Sequence, residues 1–343
     1  MEHLRRGRPP TSTLCIVRMA LATVMTLMGA LQGNAQRTAH EGSIRSVSIS
    51  PTGTRIASGG RDGRVRIWET SNGSLIRDLK AHQGGVLAVS FAPSGAILAS
   101  AGRDKTARLW NAETGECLAI LAGSGDFVSC LDFSPDSRLL ATGSYDSKVR
   151  VWDTRSGEFL RELPARRQEI DSLAFSPSGE WLVCGTHDGH LKLWTTNSWT
   201  LVRSALRHRG AVAGLKFLPN GDRIASVGYD GTIQLTQSPY LSPLRTWNGE
   251  TRRLYSIAVS PDGRRLATGG RDNCLRVWDA QSGRMLLNLP AHANLVNSVS
   301  FSPDGNRLLT GGADARLKMW DASTGELICE FRPVSPVHLA TQN

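Results

Sequence analysis

Aspartate and histidine are the side chains of this sequence best suited to moving protons, and they recur together along the chain. An Asp with a His upstream appears at His40 and Asp62, His82 and Asp104, His208 and Asp230, and His292 and Asp314. A carboxylate that orients an imidazole is the core of general-base chemistry. A pair repeated along a chain nevertheless reads as structure, because a catalytic centre is assembled once. No Gly-x-Ser-x-Gly nucleophile and no phosphate loop accompanies it. Cys184, His187 and His190 are metal-ligand types, but they straddle Asp188 at a turn, where side chains diverge. A strand filler and two exposed turn histidines is the better reading than a zinc site. Cys117, Cys130, Cys184, Cys274 and Cys329 are odd in number and follow neither metal nor disulfide spacing, so they read as small apolar fillers on strands. The sequence therefore predicts no catalytic residue, no metal and no cofactor, and the chain is not expected to be an enzyme.

The elements that position these residues follow from an internal repeat. The Asp falls at Asp62, Asp104, Asp146, Asp188, Asp230, Asp272 and Asp314, every step being 42 residues. Six residues later come Trp68, Trp110, Trp152, Trp194, Thr236, Trp278 and Trp320, and a Pro recurs in the same register from Pro51 to Pro303. A period of about 40–45 residues is the signature of propeller blades. In the second copy, Val86–Phe91, Ile97–Ser100, Thr106–Trp110 and Cys117–Leu121 read as four short strands, with a tight turn at Asp104-Lys105. Ser-Pro-Asp-Gly at 260–263 and 302–305 reads as a type I turn. A lone four-stranded sheet cannot bury both faces, whereas seven packed radially can. The fold predicted is all-β, a seven-bladed propeller of four-stranded antiparallel blades over residues 36–332. Glu326–Phe331 can supply the last strand, so every blade is expected to use contiguous chain, with the ring closed mainly by packing.

Residues 1–35 read as an export signal. Arg5, Arg6, Arg8 and Arg18 precede an apolar run from Met19 to Leu31, and Gly33 and Ala35 suggest cleavage between Ala35 and Gln36. That run is shorter than the roughly 20 residues a spanning helix needs, so no membrane span is expected after cleavage and the mature chain would be periplasmic or extracellular. An uncleaved anchor, a downstream start and a cytoplasmic chain are the alternatives. Residues 333–343 form a short tail. Of the net +10, the leader holds four Arg against one Glu. The remaining charge is scattered, with no basic stripe or stacking motif for nucleic acid, and favours acidic partners only weakly.

The segments "RDGRVRIWET", "RDKTARLWNA", "YDSKVRVWDT" and "RDNCLRVWDA" resemble the Trp-Asp ends of WD40 repeats, and "LKAHQGGVLAVSFAPSG" resembles their Gly-His starts, with Ala in place of Gly. The uniform spacing is similar to the WD40 arrays of bacterial multi-repeat proteins and of fungal vegetative-incompatibility proteins. The resemblance implies a hydrogen-bonded tetrad in each blade. It is complete at His40, Ser58, Asp62 and Trp68, at His82, Ser100, Asp104 and Trp110, and at His292, Thr310, Asp314 and Trp320. Ser124 and Arg166 stand in the His place of copies three and four, Cys184 in a hydroxyl place, Thr236 in a Trp place and Glu250 in the His place of copy six. The family also implies that the face carrying the tetrad turns meets partners. There the sequence offers Arg61, Arg103, Tyr145, His187, Tyr229 and Arg271 before each Asp, with Arg45, Tyr255 and Phe127 beside them and Glu169 and Asp171 as the acids. Arg and Tyr are enriched at interface hot spots. The function expected is a non-catalytic scaffold binding a protein or peptide, with carboxylates and an apolar anchor, through that face. The alternative is an exported enzyme or small-ligand binder using the central channel. The oligomeric state is left open.

Overall fold

Two turns in each repeat set the strands. In the Ser-Pro-Asp-Gly turns the Gly263 amide donates to the Ser260 carbonyl at 2.8 Å and the Gly305 amide to that of Ser302 at 2.9 Å. The Ser260 hydroxyl donates to Asp262 at 2.5 Å, and Pro presets the backbone angle between them. The second turn, at the repeated Asp, places its next residue in the left-handed region, as at Lys105 (φ 66°) and Ala315 (φ 64°).

The structure is a computed structural model that describes residues 39–165, 168–249 and 253–332, all within one compact unit spanning Thr38–Asn343. The leader, the tail, Arg166 and Glu250 lie outside the described residues. Seven four-stranded antiparallel sheets follow one another in chain order. Blade 1 is β1 (Ile44–Ile49), β2 (Arg55–Gly60), β3 (Arg64–Glu69) and β4 (Leu75–Lys80). Blade 2 is β5 (Val86–Phe91), β6 (Ile97–Gly102), β7 (Ala107–Asn111) and β8 (Cys117–Leu121). The second strand of blade 2 runs two residues further than expected, because small Ala101 pairs with Ala107 right up to the turn.

The middle strands are buried on both sides, and each core cluster joins two blades. Ala57, Val65 and Ile67 of blade 1 pack against Val86, Phe91, Leu98 and Trp110 of blade 2. The outermost strands face solvent, leaving Leu118, Ile120, Phe159 and Leu160 exposed. Cys117, on β8, is exposed as well. It is therefore no core filler, since the outer strand has no neighbouring sheet to cover it.

Side chains of the innermost strands also tie each blade to the next. The Val89 amide donates to Ser46 Oγ at 3.0 Å, that of Phe91 to Ser48 Oγ at 3.1 Å, and that of Phe175 to Asp132 at 2.9 Å. The seam continues this pattern. The blade 7 sheet is β25 (Val296–Phe301), β26 (Arg307–Gly312), β27 (Leu317–Asp321) and β28 (Leu327–Phe331), so among the described residues each blade is contiguous. Phe331 packs edge-on against Trp68 at 6.1 Å. The Val47 amide donates to Ser298 Oγ at 3.1 Å, and Asn297 Nδ2 donates to the Ile44 carbonyl at 2.8 Å. Closure thus uses hydrogen bonds in addition to packing.

Candidate partner-binding site

The tetrads hold the turns. In blade 1, His40 Nδ1 lies 2.9 Å from Asp62 and Nε2 lies 2.8 Å from Ser58 Oγ, while the Trp68 indole donates to the same hydroxyl at 2.9 Å. Blade 2 repeats the chain through His82, Asp104, Ser100 and Trp110 at 2.8, 2.8 and 2.9 Å. Blade 7 repeats it through His292, Asp314, Thr310 and Trp320 at 2.9, 2.8 and 2.9 Å. In blade 5, His208 reaches Asp230 at 3.0 Å and Ser226 at 2.9 Å, but Thr236 Oγ1 is buried with no hydrogen-bond partner. Burial pushes the Asp62 carboxyl up, yet the hydrogen bond and charge of His40 overcome it and hold the group well below the usual carboxylate range. Burial in turn holds the His40 and His82 imidazoles below their ordinary value. These groups are bonded to each other, with the imidazoles, hydroxyls and indoles buried.

A further repeated partner escaped the sequence reading. Four residues after each Asp, and two before the Trp place, stand Arg66, Arg108, Arg150, Lys192, Gln234, Arg276 and Lys318. Arg66 is buried and donates to Asp62 and to the Ala39 carbonyl at 3.0 and 2.9 Å. Lys318 donates to the matching carbonyl of Ala291 at 2.7 Å, and Lys192 and Gln234 donate to those of Ala165 and Arg207. In blade 3, where Ser124 replaces His, Arg150 takes over Asp146 at 2.7 Å. The 42-residue period was the signal that could have found this set.

The site residues are positioned by two backbone devices. In every blade the amide of the residue before the Asp donates to the carbonyl eighteen residues earlier: Arg61 to Ser43 at 2.9 Å, Arg103 to Gly85 at 3.0 Å, Tyr145 to Phe127 at 3.0 Å, His187 to Glu169 at 3.0 Å, Tyr229 to Ala211 at 3.0 Å, Arg271 to Arg253 at 2.9 Å and Ala313 to Leu295 at 2.8 Å. The innermost strands are also bulged between Ile44 and Ser46, Val86 and Ala88, Ile170 and Ser172, Leu254 and Ser256, and Val296 and Ser298. A bulge leaves one residue unpaired and re-aims its side chain. The residues so released, Arg45, Leu87, Asp171, Tyr255 and Asn297, with Ser129 from the matching bulge between Val128 and Cys130, line a cavity of about 150 Å³ together with Ala213, Tyr145 and Tyr229.

Charge is divided across this face. Arg61, Arg103 and Arg271 are exposed, and among the described residues no carboxylate pairs with them. Arg103 stacks over Phe127 at 5.5 Å, and Phe127 lies 6.2 Å from Tyr145. Arg45 is partly desolvated and crowded by Arg103 and Arg61, so its guanidinium sits below its ordinary value. The other half is aromatic and acidic. His187 Nδ1 lies 3.1 Å from Asp171 and 3.8 Å from Glu169. Tyr229 stands edge-on to His187 at 6.2 Å and to Tyr255 at 5.8 Å, with Arg253 stacked on it at 4.9 Å. Cys184 is buried, and His190 pairs instead with Asp188 at 3.1 Å, so the three metal-like residues do not converge.

A closed ring of seven sheets, each stapled at its turn by one histidine–aspartate–hydroxyl–indole chain or a remnant of it, defines a repeat propeller whose turn face is exposed. Residues 63–238 match the family described as IFT122 first beta-propeller, and residues 33–69, 241–279 and 283–321 match the WD domain, G-beta repeat. The chain belongs to the WD40-repeat propeller family. Over 41 residues it is 51% identical to the ribosome biogenesis protein ERB1 of Chaetomium globosum and to that of Neurospora crassa. That stretch is 12% of this chain, and the chain covers 5% of the length of each relative.

Proposed function

We propose that the chain is a non-catalytic scaffold that docks a protein or peptide partner on the face carrying the tetrad turns. One observation carries the reading. The ring fixes one turn residue per blade by a backbone amide-to-carbonyl hydrogen bond, and three of the seven are exposed arginines without an acid among the described residues. Guanidinium groups and tyrosines held by packed sheets supply large contact area at little ordering cost. The unpaired arginines favour a partner that brings carboxylates. The repeated histidine–aspartate pairs at His40, His82, His208 and His292 are buried inside the tetrads, which supports a structural role for them.

Affinity capture with the full chain, beside an Arg61→Ala/Arg103→Ala/Arg271→Ala variant of unchanged melting temperature, tests this. A partner retained by the wild type and lost by the variant is the expected result. Equal capture by both moves the site off this face.

A further inference from the structure

At about 150 Å³, the mouth cavity is well below the roughly 300–1,000 Å³ of small-molecule sites and suits one inserted side chain. Its walls select the kind. Asp171 enters it from the blade 4 bulge with its side chain only 9% exposed, and a carboxylate that buried requires a cation. His187, its hydrogen-bonding partner, is 53% exposed. Among the described residues no lysine or arginine pairs with Asp171. Arg253 is occupied over the Tyr229 ring at 4.9 Å. Arg45 lines the same cavity from blade 1, three blades away on a ring of seven, and makes no ion pair with Asp171. Tyr145, Tyr229 and Tyr255 complete the acidic side, and Glu169 adds a second carboxylate next to His187. Aromatic faces beside a desolvated carboxylate attract a cation and repel an anion.

We propose that this cavity receives a lysine or arginine side chain of the partner, its cation seated between Asp171 and the tyrosine rings, while partner carboxylates lie over Arg61 and Arg103. This rests on the docking role of the tetrad-turn face and adds a polarity to it. A segment crossing the mouth has one direction, with its base over blade 4 and its acids over blades 1 and 2.

The probe is a displayed library of random seven-residue peptides, selected on the full chain and on three variants: Asp171→Asn, Glu169→Gln/Asp171→Asn and Arg61→Ala/Arg103→Ala. Melting temperatures establish that each variant is folded. Wild type is expected to enrich peptides with one Lys or Arg at a fixed offset from acidic residues. Asp171→Asn then loses the basic preference, keeps the acidic one, and binds the synthesised consensus peptide about tenfold or more weaker, the usual scale for losing a charge-assisted hydrogen bond. Changing the peptide's base to Gln gives the same loss in wild type and no further loss in Asp171→Asn. Enriched peptides that lack a base but still weaken with Arg61→Ala/Arg103→Ala overturn the cation pocket and leave the docking face standing. Peptides indifferent to every variant, or no enrichment at all, overturn both.

Discussion

A β-carbon on Gly60 would lie 2.2 Å from Nδ1 of His40, so the imidazole fills the space that any other residue at position 60 would need. The same exclusion joins Gly102 to His82, Gly228 to His208 and Gly312 to His292, at 2.5, 2.7 and 2.3 Å from the nearest ring atom. In two of the three blades that lack the His the glycine is missing too, whereas blade 6 keeps Gly270 with Glu250 in the His place. Blade 3 has Ser124 and Ser144, and blade 4 has Arg166 and Thr186. There the added hydroxyls make bonds of their own: Ser144 donates to the Asp126 carbonyl at 3.1 Å, and Thr186 donates to Asp188 at 2.5 Å.

Gly102 and His82 should therefore be strongly coupled. Gly102→Ser alone forces the buried imidazole out of its tetrad, and His82→Ser alone leaves Asp104 without that partner. Each is expected to cost about 2–4 kcal/mol, the scale of overpacking or of breaking a buried hydrogen-bond network. The double variant recreates the blade 3 arrangement and should cost little more than His82→Ser. Denaturant unfolding of the four proteins measures the coupling, and additive losses would refute the relationship.

Thr236 occupies the Trp place of blade 5, and its hydroxyl is fully buried without a partner. Replacing that hydroxyl with a methyl removes an unsatisfied polar group at nearly constant volume. Thr236→Val should stabilise the protein by about 0.5–1 kcal/mol. A denaturation midpoint that falls would show that the hydroxyl has a partner in solution.

Much of the fold was legible because the repeat never slips. Seven Asp and six Trp in one register specify blade number, blade length and the two turns. The tetrads were legible through the family resemblance. Less legible were features that depend on partners distant in sequence. Arg66 reads as an exposed charge until β3 is seen to bury it against Asp62 and Ala39. Nothing in the residue type of Arg45 or Asp171 announces a bulge, because bulging is a property of the strand pair. The cavity they line follows from the ring, in which side chains from different blades meet only after closure. Cys117 was misplaced for the opposite reason, since an apolar residue on a strand gives no sign of whether a second sheet covers it.

Blades 4 to 6 should open before blades 7, 1 and 2. Blade 1 combines a complete tetrad with Arg66 bonded to both Asp62 and Ala39, whereas blade 4 has Cys184 in place of the hydroxyl and blade 5 leaves Thr236 unpaired. Local opening costs least where fewest such bonds must break. Native-state hydrogen exchange is expected to show faster amides on the middle strands of blades 4 to 6 than on β2 and β3. Equal protection around the ring would mean that closure makes the seven blades open as one unit.

Asp171 should cost stability at neutral pH. Burial pushes its carboxyl up to about 6, against the opposing pull of His187 and with Glu169 adding to the rise. A carboxyl raised in the folded state destabilises fully above that value. As pH falls the folded protein takes up the proton first, and the cost disappears by the unfolded value near 4. Asp171→Asn keeps a hydrogen-bonding group for His187 without the charge. It should therefore stabilise the protein by about 2 kcal/mol above pH 6, with the advantage shrinking to nothing by about pH 4. His187 and Glu169 face this carboxylate and act on it, its charge in turn pushes the neighbouring Tyr145, Tyr229 and Cys130 groups up, and repeating the pair in a His187→Gln background removes its hydrogen-bonded histidine neighbour. The tetrads act in the opposite sense in both proteins: His40 and His82 are depressed, so their contribution is lost as pH falls below about 6.5, and that of depressed Asp62 is lost below about 4. Because these contributions are common to wild type and variant, the difference between the two melting curves isolates Asp171. A difference independent of pH would place the Asp171 carboxylate in full contact with water, and the mouth would then offer no desolvated acid to a partner's cation.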